Sequence, residues 1–477
     1  MRRLFTALAT VGSVATAVAQ QQRPNVVVLL ADDLQQRALS VMGNSELSTP
    51  NIDSIFARGV NFTSCYTNGS LGGALSMPSR AMLLTSRGVY QIPADGHHID
   101  PRHTTLGQWL SQAGYQTFAT GKWHSDFASF NRTFASGDNI YFGGMHPYEH
   151  GGHTAPRLVH YDSSGLYGSK PFVGTKFSSE MYADAALDFL KNRRKEEPFL
   201  LYVAFTSPHD PRTEHPAYGA TFSGSSITLP PNFRSEPLFD NGDLSVRDEL
   251  LVPTPRAAKV VQEEIANYYG MVAELDVQVG RIVAELRREG LAENTILVFA
   301  SDNGLALGQH GLLGKQSVYD HSMRVPLAIV APGLRGGGRD GRLCYLGDLM
   351  PTIGSLLGLE PPRSARGVSM VGKKERQGLL LGYSSIQRAY IHQGWKYLIF
   401  NVGGVVTEQL FNIEKDPWEM NNLLRSPACR VRLAQMRHAI RQQMASDGDF
   451  CNLDSGPWWG RTPKITWNQA MEYEPAE

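Results

Sequence analysis

The run Val26-Val27-Val28-Leu29-Leu30-Ala31, ending on the pair Asp32-Asp33, reads as an apolar, β-branched strand that stops on two carboxylates. Similar runs follow at 115–119, 199–205, 296–300 and 325–330. Helical patterns lie between them, in which Leu106, Trp109 and Leu110, then Ala183, Leu187 and Leu190, then Val272, Leu275, Val279, Ile282 and Leu286 each share a face. This alternation predicts an α/β fold with a mainly parallel sheet. Four of the strands run into polar clusters: Asp32-Asp33, Gly121-Lys122-Trp123-His124, Ser207-Pro208-His209-Asp210-Pro211 and Ser301-Asp302-Asn303-Gly304. Open α/β sheets bind ligands at the carboxyl ends of their strands, so the four clusters are expected to converge on one site.

A fifth stretch, Ser76-Met77-Pro78-Ser79-Arg80 running on to Thr85-Ser86-Arg87, reads as a small hydroxyl residue at the mouth of a helix. Pro78 suits a first helical position, since its missing N–H would be unpaired there. The helix dipole and Arg80 both favour an anionic ligand at that mouth. An ordinary helix start has the same composition.

The 477 residues allow one large domain and a smaller one. Lys and Arg number 45, as do Asp and Glu, which argues against a general nucleic-acid binder. Arg2 and Arg3 precede an apolar stretch that ends in Ala17-Val18-Ala19, the pattern of a cleaved signal peptide over 1–19. No later run is long enough to span a membrane, so the mature chain is expected to be exported, periplasmic or secreted. Cys65, Cys344, Cys429 and Cys451 lack metal-type spacing; a Cys429–Cys451 disulfide and buried free thiols are both open. Asn61, Asn68 and Asn131 lie in glycosylation sequons.

The stretches 137–176 and 222–255, rich in Gly, Ser, Pro and His, read as long loops around the site. A helix near 345–357 closes a catalytic unit over 20–362. Beyond Pro361-Pro362 come short strand-like runs at 378–382, 389–391 and 397–402, then a helix near 431–444, forming a small α+β unit over 363–477.

Asp32, Asp33, Asp302 and Asn303 offer only oxygen, which suits Ca²⁺ or Mg²⁺ better than zinc. Calcium is preferred because the cage is largely protein-made. Two unrelated Asx turns would present the same residues. Arg80, Lys122 and Lys315 could neutralise a tetrahedral oxyanion. His124 and His209 are acid–base candidates, with His310 as a weaker substrate-binding one; each is equally a turn or core histidine.

These motifs, with Gly314-Lys315 and the C-terminal Trp395-Lys396-Tyr397, Gln409-Leu410-Phe411-Asn412 and Asp416-Pro417-Trp418-Glu419, resemble the ordered motifs of the sulfatases over nearly the whole mature chain. The resemblance implies an alkaline-phosphatase-like fold, bound calcium and hydrolysis of sulfate esters. It implies that Ser76 is oxidised to formylglycine, whose hydrate is the nucleophile and joins Asp32, Asp33, Asp302 and Asn303 around the metal. By the same resemblance Arg80 and Lys122 position hydrate and sulfate, and Lys315 binds sulfate. His209 with Lys315 protonates the leaving alcohol, and His124 removes a proton from the remaining hydroxyl. Ser rather than Cys at 76 resembles substrates of the radical-type, oxygen-independent maturating enzymes, which implies a bacterial host. A sulfated carbohydrate is the expected substrate. The alternatives are a phosphomonoester or phosphonate hydrolase of the same superfamily, and a sulfoglycan-binding pseudoenzyme with unmodified Ser76.

Overall fold

In the computed structural model, residues 23–453 are described apart from 74, 94–95, 214, 216, 218–220 and 450. The expected signal segment 1–19 and the end of the C-terminal unit, 454–477, lie outside the described residues. The chain opens on β1 (Asn25–Ala31), then α1 (Pro50–Arg58), β2 (Val60–Phe62), β3 (Gly69–Ser70), α2 (Ser76–Thr85) and α3 (Leu106–Gln112). Next come β4 (Gln116–Lys122), β5 (Ser136–Tyr141), α4 (Ser178–Asn192), β6 (Phe199–Ala204), α5 (Ala258–Arg288) and β7 (Thr295–Ser301). The last third holds β8 (Leu327–Val330), β9 (Gly338–Asp340), α6 (Leu349–Leu357), β10 (Leu379–Tyr383), β11 (Gln387–His392), β12 (Trp395–Val402), β13 (Val405–Asn412) and α7 (Arg430–Asp447).

Eight strands form the central sheet in the order β9-β2-β8-β7-β1-β6-β4-β5. The five from β7 to β5 are mutually parallel, while β8 runs antiparallel to β7 and β2. Successive β1 side chains point to opposite faces. Val27, Leu29 and Ala31 join a core with Tyr182 of α4 and Val272 of α5; Val26, Val28 and Leu30 join one with Leu83 of α2 and Leu349 of α6. Both faces are therefore covered by helices, as a continuous apolar strand requires. Each buried Val or Leu side chain of β1 contributes roughly 1.5–3 kcal/mol.

The second sheet, β13-β12-β11-β10-β3, is an antiparallel meander with β3 added in parallel at its edge. That edge strand comes from the segment leading into α2, so the C-terminal sheet is completed by the N-terminal part of the chain. Its two faces pack against Tyr66, Leu75 and Tyr319 on one side and against Met436, Ile440 and Met444 of α7 on the other.

The fold decides two points that the sequence left open. The helix α7 separates Cys429, at its N-terminus, from Cys451, beyond its C-terminus; its 18 residues span about 27 Å, so these cysteines cannot pair. All four cysteines are free thiols, and the two that become neighbours are Cys65 and Cys344, register partners in a short parallel bridge. Asn61 and Asn68 are buried, Asn68 bonding to Leu380 and Val89, so neither presents a glycan acceptor. Among the described residues no helix is long and apolar enough to cross a membrane.

Candidate active site

The strand ends lie level with one another. Ala31 pairs with Ser301, Leu30 with Ala204, and Ala204 with Gly121, so the next residues emerge side by side along one edge of the sheet. The crossing is tight: Gly121 sits at φ +89°, and a Cβ there would lie 1.9 Å from the Ala204 carbonyl oxygen, so only glycine fits. Asp33 and His124 turn away from their strands at φ 63°, a left-handed conformation rare outside glycine, and such outliers concentrate at functional sites.

Ser76 opens α2, and Pro78 is its third residue rather than its first. The proline still falls in the turn whose N–H groups have no intrahelical partner, and Ser79 makes the first such bond, to Leu75, at 3.0 Å. The Ser76 Oγ lies 3.1 Å from Asn303 Oδ1, 3.3 Å from Asp32 Oδ1, 3.5 Å from Asp33 Oδ1 and 3.3 Å from Lys315 Nζ. Lys122 Nζ donates to Asp32 Oδ2 at 2.6 Å, and Lys315 Nζ donates to both Asp33 oxygens at 2.8 Å. Arg80 reaches Asp302 Oδ2 at 2.9 Å through Nε and the Lys122 carbonyl at 2.9 Å through Nη1. Asp302 spends its other oxygen on the backbone N–H groups of Asp33 and Asn303, so it organises the loop as well as the charge.

These groups are almost wholly removed from water. Burial alone would raise the pKa of Asp32, but Lys122, His209 and Arg80 hold it below the usual value. Asp302 is raised, by burial and by the Asp32 charge. Burial lowers Lys122, whereas Lys315 is raised because Asp33, Asp248 and Asp32 outweigh its burial. Burial, then Lys122 and Arg80, push His124 far below the ordinary histidine value and leave it neutral, and its Nδ1 has no hydrogen-bond partner among the described residues. His209 is raised: burial and Lys315 oppose its charge, but Asp33, Asp210 and Asp32 prevail.

Three carboxylates here face three fixed cations. The oxygens of Asp32, Asp33 and Asn303 gathered on Ser76 Oγ are a donor set that a hard divalent cation fits. Ligand atoms of Asp32, Asp33 and His209 also lie within 4.8 Å of one another, close enough to hold a metal.

A family model described as "Sulfatase" matches residues 24–359. The chain belongs to the sulfatase family. It is an enzyme of the sulfuric ester hydrolase class. This sulfatase is 24% identical over 483 residues to an N-acetylglucosamine-6-O-sulfatase of Bacteroides thetaiotaomicron, covering 85% of the chain and 83% of that protein. It shares its fold with a structure solved in complex with its substrate D-glucosamine-2-N,6-O-disulfate, at TM-score 0.74 and 22% identity, over 90% of this chain and 99% of that one. The phosphonate monoester hydrolase of Agrobacterium radiobacter also shares the fold, at TM-score 0.68 and 21% identity, over 88% of this chain and 96% of that one.

Of the residues expected in the site, Asp32, Asp33, Ser76, Arg80, Lys122, His209, Asp302, Asn303 and Lys315 form one connected network, and Lys122 acts electrostatically on His124. His310 is placed differently. Its ring stacks on Tyr319 at 4.0 Å and its Nε2 meets Asn232 at 3.2 Å. Sequence reasoning missed Asp210 as a partner of His209, and Arg247, Asp248 and Glu249 from 222–255. Glu249 accepts from the N–H groups of Leu313 and Gly314 just before Lys315. The only signal was three consecutive charged residues inside a stretch read as loop. In the stretch 137–176, His146 and His153 are both buried, His146 against Tyr141 and Tyr182, and His153 donating through Nε2 to the His209 carbonyl at 3.0 Å.

Proposed function

We propose that this sulfatase removes sulfate monoesters from carbohydrates outside the cytoplasm, with Ser76 matured to formylglycine and calcium as the metal. The convergence of three side-chain oxygens and Lys315 on Ser76 Oγ carries this reading, because it makes position 76 the focus of the buried charge. Formylglycine, when present, supplies a hydrate with one hydroxyl to attack sulfur and a second from which the sulfated product can collapse. Asp32, Asp33, Asn303 and Asp302 are the residues that would hold calcium, which would supply positive charge to offset that of the sulfate.

The chain's own residues supply the remainder. Lys315 places an ammonium group on position 76 and Lys122 places one on its neighbour Asp32, where charge builds on sulfate in the transition state. Arg80 locks the Asp302 loop to the end of β4. His209 holds a proton at Nε2 for the leaving oxygen, and neutral His124 accepts one at a ring nitrogen. The similarity to a relative named N-acetylglucosamine-6-O-sulfatase supports the carbohydrate class. Ser at 76 supports maturation by a radical-type enzyme before export.

Intact-mass analysis of purified active protein tests the reading. A mass lower than that of the serine form by two hydrogens, mapped to the Ser76 peptide, is expected. Full activity from protein carrying only serine would end it. Metal analysis of the same sample is expected to find calcium rather than zinc, with calcium restoring activity after chelation. Zinc content matching the active fraction would overturn the calcium assignment.

A further inference from the structure

The imidazole of His209 is gripped from behind by groups outside the sulfate-facing cluster. Its Nδ1 lies 2.8 Å from the Asp210 carbonyl oxygen and 3.1 Å from Asp210 Oδ1, and its Nε2 faces Asp33 Oδ2 at 3.5 Å. Both neighbours of Nδ1 are pure acceptors, so Nδ1 carries a hydrogen and the ring is held with Nε2 turned toward the cluster. The buried Asp210 carboxylate is itself held in a two-pronged grip by Arg247, with Nη1 on Oδ2 and Nη2 on Oδ1, the latter at 2.9 Å. Two parallel charge-assisted bonds of this kind fix orientation as well as position. Arg247 also pairs with Asp248, whose Oδ2 accepts from Gln316 Nε2 at 3.0 Å. Gln316 Oε1 in turn accepts the Lys315 N–H at 2.9 Å. One chain of bonds thus ties His209 to the backbone at Lys315.

We propose that Asp210 and Arg247 are positioning residues for proton transfer: they hold Nδ1–H of His209 and aim Nε2 at the leaving oxygen of the sulfate ester. This rests on the reading of His209 as proton donor. When the S–O bond breaks, its electron pair stays on the leaving oxygen, which takes the Nε2 proton. The ring is left neutral with its hydrogen on Nδ1. Asp210 stays ionised and Arg247 stays protonated throughout, so neither gains nor loses a proton. Their effect belongs to substrates whose leaving group needs a proton, not to sulfate binding.

The test uses the full, matured enzyme with 4-nitrophenyl sulfate and N-acetylglucosamine 6-sulfate, or the sulfated hexose that a screen shows is turned over fastest. Asp210→Asn and Arg247→Gln are expected to lower kcat on the sugar sulfate about 10- to 100-fold, since a small misplacement of a catalytic group can cost about 100-fold. KM should stay nearly constant, the aryl sulfate should be almost unaffected, and neither change should add to His209→Ala in double variants. Equal losses on both substrates, a loss confined to KM, or full additivity with His209→Ala would overturn the proposal. His209→Ala alone separates the two levels. If it too lacks leaving-group selectivity, the proton-donor reading fails and takes this one with it; if it is selective and the partner variants are not, only the positioning role fails. Should buried Asp210→Asn fail to fold, the partly exposed Arg247→Gln decides by the same criteria.

Discussion

The sulfate-facing edge of the central sheet and the stretch 222–255 stand on two sides of His209 and are built by opposite means. On the sheet edge, Asp32, Lys122 and Asp302 leave regular parallel strands in register, and Ser76 leaves the mouth of a helix. The stretch 222–255 has two single-turn 3-10 helices and one isolated bridge, Phe233 to Gln309, yet Arg247, Asp248 and Glu249 reach inward from it to Asp210, Gln316 and the backbone before Lys315. The first region has its geometry set by the sheet. The second obtains its geometry only from what it docks against. The roles proposed above put chemistry common to every sulfate ester on the first region and discrimination by leaving group on the second.

The largest expected effect strikes the first region. Ser76→Ala should cut hydrolysis of every sulfate ester by about a million-fold, the scale seen when a nucleophile is removed. The fold should survive, since the lost hydroxyl bonds are worth about 1 kcal/mol each. A folded Ser76→Ala enzyme with near-normal turnover, measured by sulfate release, would falsify the role of position 76.

His209→Ala probes the boundary between the regions. Sugar sulfates should slow by about 100- to 10,000-fold, because an alkoxide leaves poorly without a proton. An aryl sulfate, whose phenolate leaves unaided, should lose far less. Parallel losses in the two kcat values would assign His209 to sulfate binding and erase the distinction.

His310 sharpens the comparison from outside, because it is stacked on Tyr319 and bonded to Asn232. His310→Gln should change the barrier by less than about 0.7 kcal/mol, roughly threefold in kcat/KM. Unfolding should show a loss of about 1–3 kcal/mol. A selective hundredfold loss of turnover in a fully stable variant would return His310 to the site.

The smallest effect on activity is expected at Glu274 of α5, a buried acid with no role in the cluster. Asp32 stays ionised because cations surround it, whereas burial pushes the Glu274 carboxyl from 4.5 up to about 8. The unfolded chain releases this proton from about pH 4.5 while the folded chain keeps it, so stability falls as pH rises from 4.5 to 8 and levels off above. Glu274→Gln should therefore raise the melting temperature relative to wild type more at pH 8 than at pH 5, with kcat unchanged. An offset independent of pH would show that Glu274 is charged in the fold.

Much of this was legible beforehand for a local reason. Continuous apolar runs such as Val26–Ala31 report burial on both faces, and the residue after each run marks a strand's carboxyl end. The ordered motifs then located Ser76, the three aspartates, Asn303, Lys122 and Lys315. Short edge strands such as Gly338–Asp340, and the parallel addition of Gly69–Ser70 to the C-terminal sheet, carried no pattern, because two or three residues are too few for periodicity.

The sequence by itself determined the alternating α/β order, the polar strand ends and the residue types that can handle sulfate, since each depends on near neighbours in the chain. Only the tertiary structure decided that Cys65 meets Cys344 while a helix parts Cys429 from Cys451, that His310 stacks on Tyr319, and that Arg247 grips Asp210 behind His209. These pairings join residues from 9 to 279 positions apart. Their partners are chosen by how helices, sheet and loops pack together, and no local spacing records that choice.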